Sequence, residues 1–149
     1  MSGLTNSVGS RSGVISTTEI DYEEGVFTAT AGSNSLYSTF NVFSYVKFGK
    51  LCWISGQTRV ESSGGGYDML ISGLPFTCQS APTNGSGNGY GTMEVYRSPD
   101  GTDTTYCICI INENTAVIRL TEVKDDGDSI PLTGENNGYY SFSITYKIA

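Results

Sequence analysis

The side chains that could do chemistry in this 149-residue chain are mostly acidic, because it contains 15 Asp and Glu residues and no histidine. Without histidine, neither a Ser-His-Asp triad nor a Cys-His pair can form within the chain. A glycosidase would instead need two carboxylates held in a cleft. We expect most of the available acidic residues at turns or strand ends, and therefore a protein that is not an enzyme. These residues are Asp68, Glu94, Asp100, Asp103, Glu113 and Glu122.

Two groups of residues, the cysteines and an acidic run, could in principle bind a metal. We expect neither group to hold a metal or another cofactor. The cysteines Cys52, Cys78, Cys107 and Cys109 include only one close pair, and no histidine could complete a zinc site. They are expected to be reduced thiols that pack as small apolar residues. The acidic run 124–128 does not have the spacing of a calcium-binding EF-hand, and a solvated loop is the favoured interpretation.

Recognition of a ligand is the chemistry that the residue types favour most. Glycan binding typically needs exposed aromatic rings for stacking and Asn, Asp or Gln for the hydroxyl groups. Several tyrosines lie beside loops rich in Gly and Asn, which is also the composition of adaptable recognition loops. The alternative is that the tyrosines cap the fold and that the Asn and Gly residues only form turns. The candidate ligand-binding residues, expected at loop tips, are Tyr67, Asn88, Tyr90, Asp100, Asp103, Asn136, Asn137 and Tyr139.

The elements that would position these residues are β-strands, since no segment has a convincing helical period. The last strand alternates most regularly, with one apolar and one mostly polar face. The pattern predicts an all-β, antiparallel β-sandwich of about eight strands, similar to a jelly roll. The predicted strands span residues 26–31, 37–48, 51–60, 67–73, 90–97, 106–111, 116–123 and 139–148.

One folded domain is expected, at residues 21–149. Residues 1–20 are rich in Ser, Gly and Thr without a sustained period, which indicates an extended N-terminal arm or linker. The first residues have no basic start and no apolar core, so no secretory signal is predicted. No apolar run reaches the roughly 20 residues that span a bilayer, so no membrane insertion is expected. The net charge of -7, with scattered Lys and Arg, argues against nucleic acid as a partner.

Three short signatures follow one another in the first half of the chain. They read D-Y-E-E-G at 21–25, Y-x-K-x-G at 45–49 and I-S-G-L-P-F at 71–76. The first places charge at a strand start, which suits a solvated edge or a joint. The second supplies a glycine for a two-residue hairpin, and the third ends a strand while Leu74 and Phe76 turn inward.

In this order and spacing the signatures resemble the C-terminal β-sandwich domains of bacteriophage tail-fibre and related virion fibre proteins. The resemblance covers roughly residues 20–149 in organisation, but its recognisable motifs lie within 21–76. That family usually has Thr and Pro where this chain has Val26 and Ala29. The first signature looks like a joint between a preceding shaft or linker and the terminal domain.

The resemblance implies a homotrimer on the outside of the virion, assembled in the host cytoplasm, that contacts a glycan or protein of the host surface and other virion proteins. One alternative is a capsid or head-fibre decoration protein that binds only other virion proteins. Another is a stand-alone carbohydrate-binding module. The apolar segments 37–48 and 106–111 fit a subunit interface, although burial in central strands explains them equally well.

Overall fold

The computed structural model describes residues 21–66, 68–81, 87–96 and 104–149, and in this part of the chain the regular structure is almost entirely β-sheet. A single 3-10 turn, Ser38–Phe40, is the only helical segment among these residues, and none of it could span a membrane. The strands are β1 Tyr22–Thr28, β2 Ser35–Leu36, β3 Val42–Phe48, β4 Leu51–Ser62, β5 Leu70–Ser72, β6 Gly89–Tyr96, β7 Thr104–Ile111, β8 Val117–Lys124, β9 Ser129–Pro131 and β10 Tyr139–Lys147.

These strands form one open antiparallel sheet in the order β1-β3-β4-β10-β6-β7-β8-β5, with β2 added to β4 and β9 added to β8. The expected all-β, sandwich-like fold is therefore confirmed. The 10-stranded sheet exceeds the expected eight strands because β2 and β9 lie outside the predicted strands. The predicted strand at 37–48 is interrupted, since the chain turns at Ser38–Phe40 before β3 begins at Val42.

The last strand of the chain, β10, lies in the middle of the sheet between β4 and β6. Its even-numbered side chains from Tyr140 to Tyr146 are buried, whereas Thr145 and Lys147 are exposed. This is the alternation that the sequence predicts, because successive side chains of a strand point to opposite faces. The apolar core lies on the inner face of β10, and the opposite face meets solvent.

The three sequence signatures meet at the edge strand β1. Lys47 Nζ pairs with the Asp21 carboxylate at 2.5 Å, and the Tyr45 hydroxyl donates a hydrogen bond to Glu23 at 2.7 Å. The Tyr45 and Phe76 rings pack edge to face with centroids 5.5 Å apart, and Lys47 Nζ lies 5.7 Å from the Phe76 centroid. We call these five residues the edge cluster. One residue from each signature thus contacts a residue of another.

The acidic signature belongs to β1 itself, which corrects the predicted start of that strand. β1 begins at Tyr22 rather than at residue 26, so Glu23 and Glu24 lie inside it. Glutamate is depleted in β-strands, which explains why the sequence did not predict one here. In the ladder, however, Glu23 stands directly opposite Lys47, and the opposite charges stabilise the pairing. β1 is also the outermost strand of the sheet, so the expectation of a charged, solvated edge is confirmed.

The other two signatures have the local structures that were predicted for them. Gly49 adopts a positive φ of 57° in the two-residue turn between β3 and β4, where Phe48 pairs with Leu51. Leu74 is buried, and Phe76 packs partly against the core. The expected N-terminal arm at residues 1–20 lies outside the described residues.

Candidate binding face

The face of the sheet that points away from the core is built by strands β4, β10 and β6, and we call it the outer face. Alternation along β4 buries Cys52 and Ile54 completely and turns Trp53 toward solvent. The same rule directs alternate residues of β10 and β6 outward. The described residues that form the outer face are Trp53, Ser55, Gln57, Arg59, Tyr139, Ser141, Ser143, Thr145, Lys147, Tyr90, Thr92 and Glu94.

Two exposed aromatic side chains stand at one end of the outer face. Thr145 pairs with Trp53 on one side and with Tyr90 on the other, which separates the two aromatic residues by two strand spacings, about 9.5 Å. Trp53 is 41% and Tyr90 58% exposed, so both rings are available to a ligand. The Trp53 indole N–H donates to Ser143 Oγ at 2.8 Å, so a polar neighbour orients the ring.

A groove of about 390 Å³ runs beside Tyr90. Its walls combine apolar surface, from residues such as Leu51 and Tyr146, with the polar residues Gln79, Ser80, Asn88, Thr145 and Lys147. The backbone N–H of Glu113 donates to Asn88 Oδ1 at 2.9 Å, which fixes that amide at the rim. The groove thus combines an exposed ring with amide, hydroxyl and ammonium groups. A shallower depression next to it is lined by three serines, Thr92 and Glu94 together with Gly56, Met93 and Phe142.

An arginine held between two tyrosines forms the other end of the outer face. The Arg59 Cζ atom lies 4.5 Å from the Tyr37 ring centroid and 4.9 Å from the Tyr139 ring centroid. Arg59 Nη2 donates to Asn137 Oδ1 at 2.8 Å, and Phe40 packs edge to face on Tyr139 with centroids 5.7 Å apart. We call Tyr37, Arg59, Asn137 and Tyr139 the arginine clamp.

The candidate residues from the sequence fall into separate groups. Asn88 and Tyr90 come together at the groove, and Asn137 and Tyr139 come together in the arginine clamp. Asn136 accepts a hydrogen bond from the Ser63 backbone N–H at 2.6 Å, which holds the adjacent loop. Three further candidates lie outside the described residues: Tyr67, Asp100 and Asp103.

The structure places much of the candidate binding surface on a strand face rather than at loop tips. Tyr90 and Tyr139 belong to β6 and β10, although each lies close to a loop. Trp53 and Arg59 were not candidates from the sequence. Because the start of β4 is apolar on both faces, the pattern does not tell which side is buried until the pairing with β3 and β10 is known. The alternating polar residues of β10 were the available signal for this face.

The cysteine thiols are disfavoured as nucleophiles, because burial raises their pKa values. All four cysteines are free; Cys109 is buried, and this burial raises the pKa of its thiol to about 12, so the thiolate form that attacks substrates is disfavoured. In the part of the chain that the structure describes, no three His, Cys, Asp or Glu side chains are grouped to hold a metal ion. The exposed loop at 125–128 is closed by the Asp128 N–H, which donates to Asp126 Oδ1 at 2.9 Å.

No protein-family model, curated protein or solved structure matched this chain. A function must therefore be inferred from the chemistry of the outer face and from the three signatures.

Proposed function

We propose that the chain is a non-catalytic binding domain of a bacteriophage virion fibre, and that its outer face attaches to glycans of the host surface. The observation that carries the proposal is the pair of exposed rings, Trp53 and Tyr90, which flank Thr145 across three adjacent strands. A single aromatic residue on a surface is ordinary, but two held at a fixed spacing beside hydroxyl and amide groups form a platform.

The chemistry of a sugar ring matches this platform. The C–H faces of a pyranose stack on aromatic rings, and its hydroxyls exchange hydrogen bonds with the polar side chains that line the groove, such as Gln79, Asn88 and Thr145. The separation of about two strand spacings gives room for an oligosaccharide rather than one monosaccharide. Since the rings lie on strands, they are already oriented before binding, and little conformational entropy is lost.

The assignment to a virion fibre is supported by the resemblance of the three signatures. Their side chains pack together in the edge cluster, directly after the segment in which the arm is expected. Such a cluster suits a joint, because Asp21 is tied to the domain both by Lys47 and by the Gly49 backbone N–H, which donates to the Asp21 carbonyl at 2.7 Å.

Binding to polysaccharides purified from the host envelope tests the proposal. Trp53→Ala and Tyr90→Ala should each weaken binding by about tenfold or more, because aromatic residues at the centre of an interface usually contribute above ~1.4 kcal/mol. Tyr22→Ala is the matched control, since Tyr22 is 56% exposed but lies on β1, away from the groove. Equal affinities for the wild type and both aromatic variants, with unchanged melting temperatures, would contradict the proposal.

A second function, contact with other virion proteins or with copies of the same chain, is favoured by an apolar patch beside the platform. Val26, Val42, Phe48 and Leu51 point outward from β1, β3 and β4 with exposed fractions between 47% and 70%. Apolar residues gathered on one sheet face are typical of subunit interfaces.

Sedimentation velocity tests the second function. We expect a trimer at micromolar concentration and a shift toward the monomer in Phe48→Glu, because the introduced carboxylate would be buried without a partner. Ile130→Glu is the control, since Ile130 is exposed on β9, far along the sheet. A wild-type chain that sediments as a monomer would overturn the contact between copies of this chain and leave glycan binding untouched.

A further inference from the structure

We propose that the arginine clamp is an anion subsite that binds the carboxylate of an acidic sugar in a glycan lying along the outer face. The inference rests on the proposed glycan binding, and it adds the charge class of the ligand and the direction in which the ligand runs. Its centre is the Arg59 guanidinium between the Tyr37 and Tyr139 rings.

The clamp holds the guanidinium in place before any ligand arrives. The Tyr37 and Tyr139 ring centroids lie 4.5 and 4.9 Å from Arg59 Cζ, and Asn137 Oδ1 accepts a hydrogen bond from Nη2 at 2.8 Å. The backbone also fixes the arrangement, because the Tyr37 N–H donates to the Arg59 carbonyl at 3.0 Å. A guanidinium whose faces are stacked presents its remaining N–H groups edge-on, in the plane that suits a carboxylate.

The charge of Arg59 has no counterion among the described residues. The ion pairs that Lys47 makes with Asp21 and Glu23 do not involve Arg59. Glu94 also lies on the outer face, yet it forms no ion pair with Arg59. In addition, Arg59 Nε is buried and has no hydrogen-bond acceptor within the described residues. A half-buried cation without an anion is costly, and an anionic ligand would remove that cost.

The clamp lies on the same face as the aromatic platform. Arg59 follows Trp53 by six residues along β4, which places the two about 20 Å apart. Between them the outer face carries polar side chains. Gln57, for example, donates a hydrogen bond to Ser141 Oγ at 2.9 Å. An extended oligosaccharide of several units can therefore stack on Trp53 at one end and reach the clamp with a carboxylate at the other.

The test compares oligogalacturonates of increasing length with the same oligomers as methyl esters, and includes a phosphorylated mannan to separate carboxylate from phosphate. Binding is measured by calorimetry on the wild type, Arg59→Gln and Arg59→Lys. Arg119→Gln is the matched control, because Arg119 is also half-buried with an unpartnered Nε but lies on β8. Melting temperatures establish that each variant is folded.

We expect the wild type to bind long acidic oligomers about tenfold more tightly than their esters, which corresponds to ~1.4 kcal/mol. Arg59→Gln should abolish this preference by weakening the binding of the acidic oligomers far more than that of the esters, Arg59→Lys should retain part of the preference, and Arg119→Gln should retain all of it. A phosphorylated glycan that binds more tightly than the acidic oligomers, in an Arg59-dependent way, would overturn the carboxylate assignment and show that the subsite takes phosphate instead.

Four results would overturn the subsite. If Arg59→Gln weakens the binding of acid and ester equally, Arg59 has only a structural role. If Arg119→Gln removes as much of the preference for the acidic oligomers as Arg59→Gln does, the preference arises from the overall electrostatic field of the protein and not from the clamp. Trp53-dependent binding of the esters with no preference for acidic oligomers would refute the subsite while the proposed glycan binding stands. Absence of binding to every glycan, host polysaccharides included, would refute both.

Discussion

Phe43 fills the space beside Gly56 that a side chain at that position would need. A Cβ atom built on Gly56 would lie 1.8 Å from Phe43 Cδ1, far inside van der Waals contact. Phe43 cannot easily move away, because its ring stacks on Phe27 and Phe142 with centroid distances of 5.6 and 5.2 Å. The missing side chain of Gly56 therefore allows the three aromatic rings to pack behind the candidate binding face.

The Gly56→Ala substitution should destabilise the fold strongly. Overpacking a rigid core typically costs about 1–3 kcal/mol, and we expect the upper end of this range because the obstacle is a stacked ring. Gly127→Ala is the control, since Gly127 has open space around it and only its φ of 87° opposes a side chain, at a cost of about 1 kcal/mol. Urea unfolding measures both, and equal costs would show that Phe43 relaxes freely.

Lys47→Met should weaken the edge cluster in a salt-dependent way. Methionine keeps an apolar stem over Phe76 but leaves Asp21 and Glu23 without their cation. Because both carboxylates are largely exposed, we expect a loss of only about 1 kcal/mol in free energy of unfolding at low salt. The loss should shrink in 1 M salt, where charges are screened within about 3 Å.

The matched control for Lys47→Met is Lys50→Met, because Lys50 is exposed and makes no ion pair within the described residues. Chemical unfolding at low and high salt compares the two variants. A destabilisation by Lys47→Met that does not change with salt would show that the ion pairs with Asp21 and Glu23 do not hold the cluster together.

Local patterns were sufficient to predict the fold class and several details of this protein. The alternation of β10, the turn at Gly49 and the inward direction of Leu74 each depend on one strand or one turn. Such features follow from the geometry of a short segment, so the sequence carries them directly.

The outer face was harder to predict because it depends on which strands become neighbours. Trp53 and Tyr90 are far apart in sequence and meet only because β10 lies between β4 and β6. Similarly, the arginine clamp joins Tyr37 to Asn137 across a sequence separation of 100 residues. Strand order is set by the whole sheet, and no local signal in Arg59 or its neighbours indicates its stacking partners.

The protein should lose stability in alkaline solution, because its buried thiols resist ionisation. Burial raises the pKa of Cys109 from the ordinary 9.0 to about 12, and it also raises the pKa values of Tyr140 and Tyr146. The stabilising contribution of Cys109 is thus complete below pH 9.0 and is lost as the pH rises toward 12, since only the unfolded state releases the proton in this window.

Free energies of unfolding at a series of pH values above 8 test this expectation. Each group that ionises only in the unfolded state adds a slope of up to about 1.4 kcal/mol per pH unit. Cys109→Ala removes one such group, so its slope above pH 9.0 should be shallower than that of the wild type, whatever its absolute stability. Identical slopes would mean that Cys109 ionises as easily in the folded protein as in the unfolded chain.

Thr58→Val should stabilise the protein. Thr58 is completely buried, and its hydroxyl has no hydrogen-bond partner among the described residues. Valine has nearly the same shape, suits a β-strand and removes the unpaired polar group, so we expect a gain of about 1 kcal/mol. Thr92→Val is the control: Thr92 is exposed on β6, its hydroxyl can bond to water, and its replacement should change the stability by less than about 0.5 kcal/mol. Unfolding midpoints in urea measure both variants. A loss of stability in Thr58→Val would show that the hydroxyl is satisfied in solution, by a buried water that the valine expels.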